Sequence, residues 1–190
     1  VVDLSHVRKV DDVTSAGAYI MTDQSDNQIT AFYPGAMQYH VTHNMEHVTK
    51  LIRVNPRSYS RKSVSIAIVA PGNLEDMKVL PKLYKKYGVP YIYDPGQAIP
   101  ALSGNDLRAG ISGARVFISN DYELTMVLKK TGWKKQDVLK RVEVLVTTLG
   151  EKGSILEIGS LSVQRSNLRI SIPPAKPKNT SDPTGAGDAY

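Results

Sequence analysis

Short apolar runs and amphipathic segments alternate along most of the chain. The apolar runs are β-branched or aromatic and too short for helices, so they predict strands at residues 64–70, 89–93, 115–118 and 144–148. Segments with helical character lie between or beside them, at residues 74–87, 105–111, 122–130 and 135–141. Strands that alternate with helices predict an α/β fold, with a mainly parallel sheet and helices on both of its faces.

The helix predicted at residues 74–87 has clear boundary signals. Asn73 can accept hydrogen bonds from the first turn of a helix, and Gly88 can adopt the left-handed conformation that ends one. Pro81 lies inside this helix and has no backbone N–H, so it predicts a kink or a restart. Another stretch compatible with a helix runs from after Ala36 to about Ile52.

Two β-hairpins are predicted outside the alternation. In the first, strands at residues 18–22 and 28–33 flank a polar segment with turn chemistry. In the second, a turn at residues 149–153 leads into strands at residues 154–158 and 160–164.

Composition places the chain among ordinary globular proteins. Of its 190 residues, 41% are hydrophobic and 22% are charged, which excludes low-complexity and collagen-like chains. No apolar run approaches the roughly 20 residues that span a bilayer, so no membrane partner is expected. The chain has no cysteine, which excludes a disulfide framework and a thiolate site and fits a reducing compartment; we expect a cytoplasmic protein.

The net charge of +6 favours anionic partners, either nucleotide phosphates or nucleic acid. The basic residues occur in small groups along the predicted helices, such as Lys85 with Lys86 and Lys129 with Lys130, rather than in one block. This scatter is typical of solvated helix faces and helix ends, so we expect no nucleic acid partner.

Polar and glycine residues follow the predicted parallel strands at the point where each strand ends. They occur at Asp94 and at residues 119–123, 148–150 and 182–188. Ligands of open α/β sheets bind beyond the carboxyl ends of the strands, so these segments predict a ligand site along one edge of the sheet.

The last of these segments has the residues needed for phosphate chemistry. Gly185, Ala186 and Gly187 have little side-chain bulk and lead into a predicted helix, so their amides can face an anion and form an anion hole. Asp188 follows directly, where a carboxylate can take a proton from an attacking hydroxyl. Glycine turns next to Asp also occur for purely conformational reasons, so this segment alone decides little.

Four motifs in chain order resemble those of the ribokinase-like (PfkB) sugar and nucleoside kinases. The sequence DPTGAGDAY at residues 182–190 closely resembles the second signature of that family. NDYE at 120–123 is similar to its N-x-x-E motif, and TLGEKG at 148–153 to its T-L-G-x-x-G segment. NQITAFYPGAM at 27–37 resembles a further family region, in the form found in the bacterial adenosine kinase branch.

This resemblance implies a ribokinase-like (Rossmann-like) three-layer sandwich, with residues 1–190 forming a partial kinase domain. The hairpin at residues 17–36 is expected to belong to, or adjoin, a lid over the acceptor. The helix that opens at the terminal motif needs more residues than follow Asp188, so we expect the chain to be incomplete, and by resemblance at both ends.

The activity implied by the resemblance is transfer of the γ-phosphoryl group of ATP to a primary hydroxyl of a nucleoside, with adenosine favoured. Asp188 would be the base, and Asn120 and Glu123 would organise Mg²⁺ through water. The remaining assignments are Thr148, Gly150 and Gly153 at the nucleotide site and Phe32 facing the acceptor. A monovalent cation such as K⁺ and a homodimer formed through the lid are left open.

Other interpretations remain for these residues. Asn120 and Glu123 have the spacing of a helix-capping box, a purely structural device that can coexist with a metal role. Phe32 can simply be packed within its hairpin. A sugar kinase such as a ribokinase or fructokinase and a non-catalytic nucleotide-binding fragment are the alternative functions.

Overall fold

The computed structural model describes residues 7, 9–24, 28–40, 66–162 and 168–175. This part of the chain contains a two-stranded sheet and a six-stranded sheet. Helices pack against the larger sheet, whereas the smaller one is a separate hairpin.

The hairpin confirms the first predicted pair of strands. β1 (Gly17–Thr22) and β2 (Gln28–Tyr33) are antiparallel, with Gly17 opposite Tyr33 and Thr22 opposite Gln28. Large apolar side chains remain exposed on both faces of this ribbon, including those of Tyr19, Met21, Ile29 and Phe32.

The helix predicted after Ala36 does not form at residues 37–40. A 3₁₀ turn at Gly35–Gln38 ends at Tyr39, which is extended, and residues 41–52 lie outside the described part. Gly35 has a φ of +47°, and a Cβ added to it would lie 2.3 Å from Thr14 O. The Ala36 N–H also donates to Thr14 O at 2.8 Å. Contact with the segment before β1, rather than helical periodicity, therefore shapes this turn.

The larger sheet has four parallel strands followed by two antiparallel strands. The order is β3 (Ala67–Val69), β4 (Tyr91–Tyr93), β5 (Val116–Asn120), β6 (Val144–Thr148), β7 (Ser154–Ile158) and β8 (Arg169–Ile172). Pairing is parallel from β3 to β6 and antiparallel from β6 to β8, which confirms the mainly parallel sheet.

The helices join the parallel strands. They are α1 (Leu74–Tyr87), α2 (Gly104–Ile111), α3 (Asp121–Thr131) and α4 (Lys135–Leu139). Successive parallel strands are neighbours in the sheet, and right-handed crossovers therefore place α1, α2 and α3 on the same face. α1 contacts α2, and α2 contacts α3, as this arrangement requires. Within the described residues these helices form a layer on one face of the sheet.

A row of residues in register across the sheet forms the centre of the core. Val69 lies opposite Tyr93, Tyr93 opposite Phe117, and Phe117 opposite Leu145. All four are buried beneath the helices. Gly110 of α2 provides the space for the Tyr93 ring, because a Cβ on Gly110 would lie 2.3 Å from Tyr93 Cζ. The core therefore requires glycine at position 110 of α2, because a side chain there would collide with the Tyr93 ring.

Two other predictions of local structure need correction. α1 runs through Pro81 as one helix, so Pro81 does not mark a restart; Asn73 caps the start of α1 and Gly88, at φ +68°, ends it. The partner of β7 is β8, not a strand at 160–164. Ser160 instead turns back and donates to Leu139 O at 2.7 Å, while Gly159 packs so tightly that a Cβ would lie 2.1 Å from Val142 O; residues 163–164 lie outside the described part.

Two lysine side chains donate hydrogen bonds to backbone carbonyls of neighbouring segments. Lys85 Nζ donates to Ala109 O at 2.7 Å and to Ser112 O at 3.0 Å, next to the end of α2. Partial burial lowers the pKa of the Lys85 ammonium. Lys130 Nζ donates to three carbonyls between 2.7 and 2.8 Å, those of Ile99, Pro100 and Leu102. These two ammonium groups therefore stabilise backbone carbonyls next to α2.

Within the described ranges, no helix is both long and apolar enough to cross a membrane.

Candidate functional site

The carboxyl ends of β5 and β6 bring predicted site residues together. Asn120, the last residue of β5, lies in register with Thr148, the last residue of β6. Adjacent strands are about 4.8 Å apart, so these two residues are immediate neighbours at the sheet edge. Thr148 in turn lies opposite Ser154 of β7, and the intervening turn contains Gly150 and Gly153. We call this region, residues 119–123 and 147–154, the β5–β6 corner.

Asn120 and Glu123 form a complete capping box at the start of α3. The Glu123 N–H donates to Asn120 Oδ1 at 2.7 Å, and the Asn120 N–H donates to Glu123 Oε2 at 2.8 Å. The structural interpretation of this spacing is therefore confirmed. Because each side chain accepts a hydrogen bond from the backbone N–H of the other residue, the Glu123 carboxylate has a fixed position in the corner.

The capping box still leaves groups that fit a hydrated metal ion. It uses one carboxylate oxygen of Glu123, so Oε1 can accept a hydrogen bond from a metal-bound water. Asn120 Oδ1 already accepts a hydrogen bond, and its Nδ2 can only donate, which disfavours direct ligation by Asn120. Mg²⁺ retains several waters when bound to proteins, so this donor set fits contact through water.

The turn between β6 and β7 depends on two glycines for different reasons. Gly150 has a φ of +57°, and a Cβ added to it would meet no atom within 4 Å, so only its backbone conformation calls for glycine. Gly153 has a φ of +81°, and its Cβ would lie 2.0 Å from Ile172 O of β8. Gly153 is thus required by strand packing, whereas Gly150 leaves an open backbone surface at the corner.

Two buried hydroxyl groups lie within the corner; the sequence placed Ser119 in the polar segment at residues 119–123 but did not single out Thr147. Ser119 and Thr147 lie in register on β5 and β6 and are 3% and 5% exposed. Within the described residues, neither Ser119 Oγ nor Thr147 Oγ1 has a hydrogen-bond partner. Hydroxyl side chains at inward positions of otherwise apolar strands were the available signal. A buried polar group without a partner costs about 1–3 kcal/mol, so a bridging water fits this pair.

Among the other predicted site residues, the structure describes Phe32 alone. Phe32 belongs to the separate hairpin, where its side chain is 54% exposed, so it is not packed inside that ribbon. Asp188 and the predicted anion hole at Gly185, Ala186 and Gly187 lie outside the described residues. Where the structure is described, no group of three or more His, Cys, Asp or Glu side chains could hold a metal ion.

Residues 1–190 match the family model described as pfkB family carbohydrate kinase. This chain belongs to the pfkB family. The resemblance inferred from the four motifs is thereby confirmed.

Two relatives in this family bear on function. The chain is 31% identical over 175 residues to a nucleoside kinase of Methanocaldococcus jannaschii, a match covering 91% of this chain and 50% of that protein. The solved structure of the M. jannaschii enzyme, described as an archaeal member of the ribokinase family, aligns with a TM-score of 0.71 and covers 95% of this chain and 53% of that chain.

The second relative is a nucleoside kinase of Burkholderia thailandensis. Its structure in complex with inosine aligns with a TM-score of 0.79 and 34% identity, covering 98% of this chain and 56% of that chain. The same enzyme is also known in complex with ADP-inosine, with a TM-score of 0.77. These likenesses confirm the ribokinase-like fold. The chain spans about half the length of the relatives it matches.

Proposed function

We propose that the protein is an ATP-dependent kinase that phosphorylates a primary hydroxyl of a nucleoside. The likeness to a nucleoside kinase over 98% of the chain carries this proposal. The β5–β6 corner supports it, because two motifs of the pfkB family meet there at the carboxyl edge, where ligands of open α/β sheets bind.

In the proposed reaction, Asp188 is the general base. It takes the proton of the acceptor hydroxyl as that oxygen forms a bond to the γ-phosphorus of ATP and the bond to ADP breaks. The amides of Gly185, Ala186 and Gly187 hold the negative charge that develops on the transferring group. The support for these roles is the family signature at residues 182–190.

Nucleotide and metal are assigned to the β5–β6 corner. Thr148, Gly150 and Gly153 would contact ATP, and the open surface above Gly150 leaves room for a ligand. Mg²⁺ would neutralise phosphate charge, with Glu123 and Asn120 holding its waters. A requirement for K⁺ is a separate question, answered by comparing rates in potassium and in choline salts.

The acceptor is proposed to be a purine nucleoside, with adenosine favoured from the sequence and inosine suggested by the B. thailandensis complexes. The exposed ring of Phe32 supports this choice, because an aromatic side chain can stack on a nucleobase. A simple sugar is the alternative acceptor and offers no such stacking surface.

The decisive experiment measures ADP formation by the purified protein against adenosine, inosine, ribose and fructose, with and without Mg²⁺. We expect turnover with a nucleoside, and a loss of about 10²- to 10⁴-fold in kcat for Asp188→Asn with nucleotide binding retained. Glu143→Gln is the matched control, because Glu143 lies at the amino end of β6, away from the corner, in an exposed ion pair with Arg115. Turnover with sugars alone would support the sugar kinase.

The non-catalytic alternative makes a different prediction in this assay. A nucleotide-binding fragment would bind Mg²⁺-ATP yet form no ADP with any acceptor. Nearly normal turnover by Asp188→Asn would instead refute the assignment of the base while leaving the kinase activity intact.

We further propose that the hairpin is the lid and that its face opposite Phe32 forms the interface of a homodimer. Pleating places Phe32 on one face of the ribbon and Tyr19, Met21 and Ile29 on the other. The latter three are each more than 60% exposed, which makes an apolar surface that fits a second copy. Sedimentation should show a dimer for the wild type and a monomer for Met21→Glu; a wild-type monomer would contradict this assignment.

A further inference from the structure

The side chain of Asn73 connects the base of the hairpin to the start of α1. Asn73 Nδ2 donates to Met37 O at 3.0 Å and to Gln38 O at 2.9 Å, both in the 3₁₀ turn after β2. Its Oδ1 accepts from the Glu75 N–H at 2.9 Å and from the Asp76 N–H at 3.4 Å, at the start of α1. One amide group therefore joins two segments that are 36 residues apart.

The orientation of this amide follows from its partners. The two groups near Nδ2 are carbonyls, which only accept, and the two near Oδ1 are backbone N–H groups, which only donate. A reversed amide would face acceptor against acceptor and donor against donor. Both ends of the Asn73 amide are thus in use, one for the helix cap and one for the bridge to the hairpin.

The base of the hairpin is itself closed by short-range contacts. Ala36 N donates to Thr14 O at 2.8 Å, which joins the segment after β2 to the segment before β1. Gly35 permits this approach, because a Cβ there would lie 2.3 Å from the same carbonyl oxygen. The segment before β1 and the segment after β2 are therefore joined to each other, and Asn73 attaches the segment after β2 to the start of α1.

We propose that Asn73 is a positioning residue that fixes the base of the hairpin on α1 and so sets where Phe32 meets the acceptor. The inference rests on the proposed function, in which the hairpin is a lid. Phe32 lies five residues before Met37, a span of at most about 18 Å of extended chain, so displacement at Met37 and Gln38 is passed to Phe32 over a short path.

Two substitutions separate the bridge from the helix cap. Asp and Ser cap helices about as well as Asn, so Asn73→Asp and Asn73→Ser keep the start of α1. An ionised Asp has no donor for Met37 O and Gln38 O, and Ser is too short to reach them while capping. Asn73→Ala loses both functions. Ser103→Ala is the matched control, because Ser103 caps α2 through the Asp106 N–H at 3.2 Å and has no hydrogen bond to the described residues of the hairpin.

The first measurement is hydrogen exchange at the amides of Ala36, Met37 and Tyr39, each of which donates a backbone hydrogen bond at the base of the hairpin. We expect exchange about tenfold faster in Asn73→Asp and Asn73→Ser, with melting temperatures near that of the wild type. Ser103→Ala should lower the melting temperature without changing exchange at these three amides. Unchanged exchange in both bridge variants would overturn the inference.

The second measurement is the KM of each substrate. The bridge variants lose two hydrogen bonds, each of which corresponds to about twofold to tenfold, so the acceptor KM should rise by at least about fivefold while the KM of ATP stays constant. Faster exchange with an unchanged acceptor KM would overturn the positioning role. If the wild type phosphorylates no acceptor, the proposed function fails, and the exchange measurement alone then decides whether Asn73 holds the hairpin.

Discussion

Replacing Glu123 by Gln separates the helix cap from the proposed metal role of this side chain. Gln is the natural alternative to Glu in a capping box, because its amide oxygen can still accept from the Asn120 N–H. The substitution removes the negative charge and leaves the shape. A side chain that only caps α3 should tolerate this change, whereas one that holds the waters of Mg²⁺ should not.

The two interpretations differ in magnitude. Loss of a negative charge in the first turn of a helix costs about 0.3–1 kcal/mol, so Glu123→Gln should remain almost as stable as the wild type. Glu123→Ala also loses the 2.8 Å hydrogen bond to Asn120, which adds about 0.5–1.5 kcal/mol. Loss of a group that orients metal ligands weakens metal affinity or activity by about 10- to 100-fold. We therefore expect Glu123→Gln to combine near-normal stability with a strongly raised Mg²⁺ requirement.

The assay records initial rates against free Mg²⁺ at fixed ATP and acceptor, together with urea unfolding of the same preparations. Asp106→Asn is the matched control, because Asp106 and Ser103 form an equivalent capping box at the start of α2. This variant should lose comparable stability without any change in the Mg²⁺ dependence.

Two results would refute the reasoning on Glu123. A Mg²⁺ midpoint and a rate that both stay within about threefold of the wild type would leave Glu123 as a helix cap alone, because the expected loss is at least about tenfold. Activity that falls only in proportion to the unfolded fraction would show that stability, not metal binding, explains the loss.

Three further predictions concern stability, measured by urea unfolding. Gly150→Ala should cost about 1–2 kcal/mol, from the positive φ alone, whereas Gly153→Ala should cost about 3 kcal/mol or more, because its Cβ also meets Ile172 O; equal costs would contradict this contrast. Tyr93→Phe removes a buried hydroxyl without a partner in the described residues and should leave stability unchanged or raise it by up to about 1 kcal/mol; a clear loss would reveal a partner. Hydrogen bonds from Ser103 lower the pKa of Asp106, so the carboxylate stabilises the fold above the ordinary aspartate pKa of about 3.9. The advantage of wild type over Asp106→Asn should therefore shrink as the pH falls below that value, and a constant difference down to pH 2 would contradict it.

Local sequence signals were sufficient for most of the α/β unit. The apolar run at residues 144–148 predicted β6 with both of its ends, and Asn73 and Gly88 predicted both ends of α1. These signals act over a few residues, through caps, turn conformations and short β-branched runs, so they can be recognised without knowledge of the partners.

The meeting of Asn120 and Thr148 could also be inferred before their register was known. Parallel strands end at the same edge of a sheet, so polar residues that follow successive strands converge there. The pairing of Asn120 with Thr148 in β5 and β6 confirms this inference. Asp188 and its glycines remain a prediction from the sequence, because they lie outside the described residues.

Contacts between distant residues were decided only by the tertiary structure. The pattern at residues 160–164 favoured a strand, yet β7 pairs with β8, because Ser160 is held against the end of α4 and Gly159 against the loop before β6. Nothing in the local sequence of α1 shows that Asn73 also binds the turn after β2. The sequence by itself therefore determined the elements, their caps and the family motifs, since these depend on neighbours along the chain. The choice of the edge strand, the attachment of the hairpin and the space for Tyr93 at Gly110 depend on atoms that meet only after folding.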